Sequence, residues 1–409
     1  MTAAVPARLP AYSAFAAMLA MAGLPIYIHA PKFYVDEFGV SLAALGLVLG
    51  LMRLVDVVQD PVLGWMAERL RQRRAASVTI TAAAMGAAMI GLFAAAPPVA
   101  PVLWFALTLT VLFSGFSFLT ITFYAQGVAK AEGLGGNGHV RLAAWRETGA
   151  LIGVCLAAVA PTVLLPTGAP FAVFAVVFAV LALVAAALMR PEWRAVATGA
   201  PPRIAEVLGD RLARRLLLVA LVNATPLAIT STLFLFFVES RLDAPGFEGP
   251  LLLLFFLSAA VSAPLWSRLA AQHGAKPVLL SAMALAIASF AVAAFLGSGD
   301  TAIFAAVCIV SGAAVGADLT LLPALFARRM AQVSPSGAQG FGLWSFASKA
   351  TLAIAAVSLL PILQAAGFRS GGQNDAEALA TLTILYAVVP CALKLAAIWL
   401  LYATDVEEG

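Results

Sequence analysis

Long apolar runs leave this chain one way to fold. A segment that crosses a bilayer needs about 20 mostly apolar residues, and such runs recur near 10–34, 42–66, 76–97, 101–127, 142–165, 169–189, 216–239, 249–269, 277–297, 302–326, 341–364 and 380–402. Within lipid every backbone N–H and C=O must be satisfied internally, so runs of this length are helices. The expected fold is all-α and integral to a membrane, with twelve transmembrane helices. Only 11% of residues are charged, against about 25% in soluble domains, and the mean hydropathy is +0.99. The +4 net charge therefore carries no expectation of nucleic-acid binding; its layout matters more than its sum.

One set of loops collects Arg69, Arg71, Arg73, Arg74, Lys130, Arg141, Arg190, Arg194, Arg203, Arg211, Arg214, Arg215, Lys276, Arg328 and Arg329. The opposite set holds little beyond Lys32, Arg241 and Arg369. By the positive-inside rule both termini are cytoplasmic, and the expected location is the inner (cytoplasmic) membrane. No cleavable signal peptide is expected, because only Arg8 precedes the first run and many spans follow.

The polar stretch around 191–215, with Pro201-Pro202 and several arginines, divides the runs six and six. The expected organisation is an N-terminal six-helix bundle over 1–190, a cytoplasmic linker over 191–215 that includes a short surface helix at IAEVLGDRLARRL, and a C-terminal six-helix bundle over 216–409. A shift of 203 residues lays Asp60-Pro61-Val62 on Ala263-Pro264-Leu265 and Arg146 on Lys349. Repeated halves are a common build for secondary transporters, with the site at their interface.

Charges inside the runs carry the functional signal. Each costs roughly 2.5–3.5 kcal/mol at a helix centre on insertion scales, so such residues face the bundle interior and mark function by default. They are Arg53, Asp56, Asp60, Arg146, Glu147, Asp318, Lys349 and Lys394. At 3.6 residues per turn Arg53, Asp56 and Asp60 share one helix face, which Gly64 extends and opens to a neighbouring helix. Two carboxylates on adjacent turns repel unless a cation or proton lies between them; sodium and a proton both suit oxygen ligands of this kind. Asp56 and Asp60 are thus the expected coupling site and the only expected metal (Na+) ligands. Arg53, Arg146, Lys349 and Asp318 form the expected charge network. Glu147 is expected to be a local partner of Arg146 or to face the cytoplasmic entrance, and Asp318 to lie near a helix end. Lys394 is expected to snorkel to the interface. Tyr124, Trp145, Asn223 and Trp344 are expected to line a substrate cavity.

Other patterns carry less. Gly133, Gly135 and Gly138 spell G-x-G-x-x-G, but no strand precedes them, so a loop is expected and not a dinucleotide site. Neither a phosphate-binding lysine motif nor a nucleophile–base set is present, so the chain is not expected to be an enzyme or to carry a cofactor beyond its coupling ion, H+ or Na+. Cys155, Cys308 and Cys391 lie far apart in apolar stretches and predict no disulfide or zinc site. The expected partners are a small-molecule substrate and the lipid bilayer, with no nucleic acid and a monomeric state.

FYVDEFGVS (33–41), the R-x-x-D-x-x-Q-D-P-x-x-G pattern of Arg53, Asp56, Gln59, Asp60, Pro61 and Gly64, and the degraded loop motif GWMAERLRQRR (64–74) together resemble one family. It is the glycoside–pentoside–hexuronide:cation symporters, the melibiose-permease-like branch of the major facilitator superfamily. The resemblance is strong over about 33–75, fainter at 119–150 and topological elsewhere. It implies two pseudo-symmetric six-helix bundles that rock in alternating access, and a cation site of Asp56 and Asp60 with Gln59 and Thr120 nearby. It also places Arg146 and Lys349 where the family has basic residues. Ala20 and Thr120 stand where the family's sugar-gripping aspartates are expected. A galactoside is therefore not expected, a less hydroxylated or anionic solute becomes reasonable, and a proton gains on sodium. The expected function is cation-coupled symport of a small organic solute, sugar-like or related. The alternative is a proton-coupled antiporter that exports a hydrophobic compound.

Overall fold

The computed structural model describes residues 8–135, 137–193, 204–333, 338–369 and 374–406. Among the described residues the chain is helical throughout, with no strand. The helices are α1 (Leu9–Met21), α2 (Leu24–Phe38), α3 (Leu42–Arg69), α4 (Arg74–Phe93), α5 (Pro101–Ala131), α6 (Gly138–Val163) and α7 (Pro170–Met189). There follow α8 (Ile204–Gly209), α9 (Arg211–Phe236), α10 (Glu248–His273), α11 (Ala275–Phe290), α12 (Thr301–Val333), α13 (Ala338–Ala365), α14 (Ala376–Thr383) and α15 (Val389–Tyr402). Every predicted run is helical, and nine helices among the described residues are long and apolar enough to cross a membrane.

Local chemistry explains the breaks. The first run is two helices, because Gly23 precedes α2 and Pro25 occupies its first turn, where a missing N–H costs nothing. Gly39 ends α2 in the left-handed conformation, φ 62°, with Gly39 N–H donating to Val35 O and Val40 N–H to Tyr34 O, the paired bonds of a glycine C-cap. Ser41 then caps α3 by accepting from Ala44 N–H at 3.3 Å. Asp210 caps α9 by accepting from Ala213 N–H at 2.7 Å. The short helix predicted near 204 is present, but it ends at Gly209; the arginines that follow belong to the first turn of α9. Arg194 and Arg203 lie outside the described residues. Between α14 and α15 the helix widens to π geometry over Ile384–Val388, because Pro390 has no N–H to give to the turn before it.

The chain separates into two compact units. The first is Met1–Val207 with Met330–Phe346, and the second is Leu208–Arg329 with Ala347–Gly409. In the first, α1 packs on α6, α4 on α5 and α7, and α3 on α5. A Cβ added at Gly149 or Gly153 would collide with the backbone of Ser13 or Ala17, so this four-residue glycine spacing lets α1 touch the α6 backbone. In the second unit Gly312 and Gly316 of α12 do the same against Phe255 and Ala259 of α10. The Ala313 carbonyl accepts from Ser262 Oγ at 2.9 Å and from Trp266 Nε1 at 2.7 Å. Pro61 and Pro264, which the repeat aligned, both lie inside helices.

Candidate functional site

α3 must be helical where its charges lie, since in lipid only its own turns can satisfy its backbone. That geometry turns the carboxylates inward: Asp56 is 6% exposed and Asp60 is 0% exposed. Their neighbours differ. Asp56 Oδ1 accepts from Gln59 Nε2 at 2.8 Å, and Gln59 Oε1 accepts from Ser114 Oγ of α5 at 2.8 Å. Asp60 Oδ2 accepts from Ser345 Oγ of α13 at 2.5 Å. One carboxylate is therefore tied towards α5 and the other to the start of α13.

Gly64 has the role its place on this face suggested. A Cβ there would stand 3.1 Å from Ala338 O and 3.4 Å from Gly342 Cα; one at Gly342 would stand 3.1 Å from Asp60 O. Backbone thus meets backbone at the carboxylate level. α3 presents small residues to α13 there, which brings Ser345 within reach of Asp60.

Arg146, Glu147 and Tyr124 form a cluster of their own. The side chain of Arg53 lies outside those described. Thr120 Oγ1 is buried without a hydrogen-bond partner and bonds neither carboxylate; it stands one turn before Tyr124. Arg146 Nε donates to Glu147 Oε1 at 2.8 Å, and its guanidinium lies over the Tyr124 ring, 3.5 Å from the centroid. Tyr124 Oη also donates to Glu147 Oε1 at 2.7 Å, so this acid is a local partner of Arg146, as expected. Tyr124 and Trp344 both reach Phe341, the first with ring centroids 5.1 Å apart and the second at 6.4 Å. Trp145 is 45% exposed. Lys349 is half-buried on α13.

Two readings need correction. Lys394 does not snorkel: it is buried and bonds Asp318 and Asn223, because a partner carboxylate inside the unit offsets the cost that would drive it to the interface. Asp318 is not at a helix end; α12 continues to Val333.

A further polar cluster escaped the sequence reading. Arg74 Nη1 donates to Gln126 Oε1 at 2.5 Å, Gln126 Nε2 donates to Glu192 O at 2.5 Å, and Lys130 lies 3.2 Å from Glu192 Oε2. Arg74 and Lys130, counted with the loop cations, are drawn onto these buried acceptors. The available signal was the polar pair Gln126 and Glu192 beside apolar segments; nothing in their spacing linked them. Ser114 and Ser345 were missed because a serine in an apolar helix most often bonds its own preceding turn.

Among the described residues no group of three or more His, Cys, Asp or Glu could hold a metal ion. A coupling ion at Asp56 and Asp60 would take carboxylate, amide and hydroxyl oxygens, a set suited to a monovalent cation or a proton.

Comparison with known proteins bears on the whole chain. No curated protein matches it in sequence. Among solved structures, a bacterial homologue of the iron transporter ferroportin in an outward-facing state aligns with TM-score 0.71 at 15% identity, over 97% of this chain and 99% of that one. The Escherichia coli fucose:proton symporter FucP aligns with TM-score 0.69 at 14% identity, over 95% and 98%. The human organic anion transporter MFSD10 (TETRAN) aligns with TM-score 0.59 at 17% identity, over 96% and 98%. These likenesses establish the fold, that of the major facilitator transporters. A family model described as MFS/sugar transport protein matches residues 10–408. The chain accordingly belongs to the MFS/sugar transport protein family, and is a multi-pass membrane transporter, not an enzyme.

Proposed function

We propose that the protein is a cation-coupled symporter of a small organic solute, with Asp56 and Asp60 as the coupling carboxylates. One observation carries this reading: two acids one turn apart are buried in an apolar bundle, and each accepts a hydrogen bond from a neutral side chain, Gln59 and Ser345. Loading a cation or a proton at these acids changes the bonds that hold the start of α13 on α3. Gln59 belongs to the coupling set, Thr120 flanks it, and Arg53, Arg146 and Lys349 are the surrounding charge network. Tyr124, Trp145, Asn223 and Trp344 remain the proposed cavity residues, with Glu147 added beside Arg146.

The proposed cycle has two halves, 1–190 and 216–409, joined by 191–215 and alternating access to the solute. Both termini face the cytoplasm, the membrane is the inner one, and the working state is a monomer. A structural neighbour named as a fucose:proton symporter supports this class of coupling on this fold. The rival reading is proton-driven export of a hydrophobic compound through the same acids.

Proteoliposomes distinguish the two. Radiolabelled neutral monosaccharides, beginning with fucose, and small monocarboxylates are offered under an imposed inward proton or sodium gradient. Symport predicts uptake that follows the gradient and fails in Asp60→Asn. Uptake that persists undiminished and still coupled in Asp60→Asn would sink the assignment; efflux driven by inward protons would favour the exporter.

A further inference from the structure

A second buried charge centre lies in the other unit. Lys394 of α15 donates to Asp318 of α12, and to Asn223 Oδ1 of α9 at 2.6 Å. The three are 6%, 8% and 7% exposed. Asp318 Oδ1 is buried and has no hydrogen-bond partner. We propose that Asp318, with Lys394 and Asn223, is a second proton-binding site of this transporter, distinct from the carboxylates of α3.

The arrangement differs from a clamp that only holds helices together. A closed structural ion pair would satisfy both carboxylate oxygens, since an open anionic oxygen in a dry interior carries its full desolvation cost. Here that oxygen is open, and a proton from the aqueous phase removes the cost by converting the carboxylate to a carboxylic acid. Protonation would also strand a lysine whose only partner was that acid. Asn223 prevents this, because its amide oxygen keeps hold of the ammonium when Asp318 loses its charge. The triad can thus exist with and without the proton, gaining one positive charge when loaded. Three helices meet at it, so the change reaches α9, α12 and α15 together.

Among the described residues no other charged group bonds Asp318 or Lys394. On α9 the cations Arg211, Arg214 and Arg215 stand eight or more residues before Asn223, about 12 Å or more along the axis. On α11, Lys276 sits at the first turn and bonds the carbonyls of Tyr402 and Thr404. On α12, Arg328 and Arg329 lie ten residues or more from Asp318, about 15 Å, and Cys308 ten before it. On α10, Glu248, Arg268 and His273 are near the helix ends; α13 contributes Lys349, and α15 contributes Cys391, one turn before Lys394.

The test is infrared difference spectroscopy on the purified full-length protein as it is acidified, with the proton as sole ligand. The readout is the carbonyl stretch of a newly protonated carboxyl group. Asp318→Asn should remove one component of that band, and Asp60→Asn should leave the same component in place. Asp318→Asn leaves Lys394 buried without its acid and can fail to fold. The charge-free pair Asp318→Asn/Lys394→Met avoids this and should lack the same component. A band unchanged in the folded single or double variant would overturn the proposal and make the triad a structural clamp.

Discussion

Gly64→Ala adds one methyl group where α3 and α13 touch. The new Cβ would stand 3.1 Å from Ala338 O and 3.4 Å from Gly342 Cα, inside the roughly 3.5–4.0 Å at which carbon contacts are favourable. Both obstacles are backbone, so no side chain can rotate away and α13 must retreat by a few tenths of an ångström. Overpacking of this kind costs about 1–3 kcal/mol, and alanine returns up to about 1 kcal/mol of helix preference. The net penalty on the packed arrangement is at most about 2 kcal/mol, up to about a thirtyfold shift in its population, and about 1–3 kcal/mol relative to a glycine-to-alanine change on the same helix that meets no neighbour. Retreat also stretches the Ser345–Asp60 bond at 2.5 Å, so cation dependence should weaken with packing. The assay is thermal unfolding in detergent with and without the coupling cation, beside Gly50→Ala. Gly50 lies on the same helix with nothing within 4 Å of an added Cβ, so that variant should be neutral or slightly stabilised. If Gly64→Ala matches Gly50→Ala in stability and in cation response, the close packing of α3 on α13 is not as described.

Gly153→Ala places its methyl against the Ala17 backbone and should be worse than Gly64→Ala, with markedly reduced recovery of folded protein on size-exclusion chromatography. Ser114→Ala leaves Gln59 without its 2.8 Å donor; at about 0.5–1.5 kcal/mol the apparent cation affinity, read by thermal shift, should fall two- to tenfold. Gln126→Ala removes the buried acceptor of Arg74 and should cost about 1.5–3 kcal/mol of stability, measured by thermal unfolding. Arg329 bonds Asp210 at 2.9 and 2.6 Å and, aided by the Ala213 N–H against the opposing effect of burial, holds this carboxylate below its ordinary range. A depressed folded value gives stability that is present above the unfolded value of about 3.9 and is lost as pH falls through the folded one. Arg329→Gln should therefore lower the melting temperature at neutral pH, with the difference from wild type vanishing in acid.

The fold was legible because lipid permits so little: each apolar run had to be helical, and each is, the first as two helices. Helix ends were harder, since they depend on single caps. The first run breaks at Gly23, and Asp210 starts α9 five residues before hydrophobicity does, in the middle of an arginine-rich stretch. At the site, spacing alone put Asp56, Asp60 and Gly64 on one face. The partners that fix each carboxylate could not be read this way, because Ser114 and Ser345 are 55 and 285 residues from their acceptors and look like ordinary small residues. Lys394 misled for a related reason: its distance from the helix end suggested an interfacial lysine, while its acid lies 76 residues away. Long-range pairing of isolated charges leaves no periodic trace.

The central claim, that the α3 carboxylates bind the coupling cation, is tested most directly by thermal unfolding of the purified protein across sodium concentration and pH, with Asp60→Asn beside the wild type. A ligand that binds only the folded state stabilises it by about 2.7 kcal/mol at a hundred times its dissociation constant. The account predicts that sodium, or acidification in its absence, raises the melting temperature of the wild type and that Asp60→Asn abolishes the shift. An equal shift in both proteins, or none in either, would contradict it.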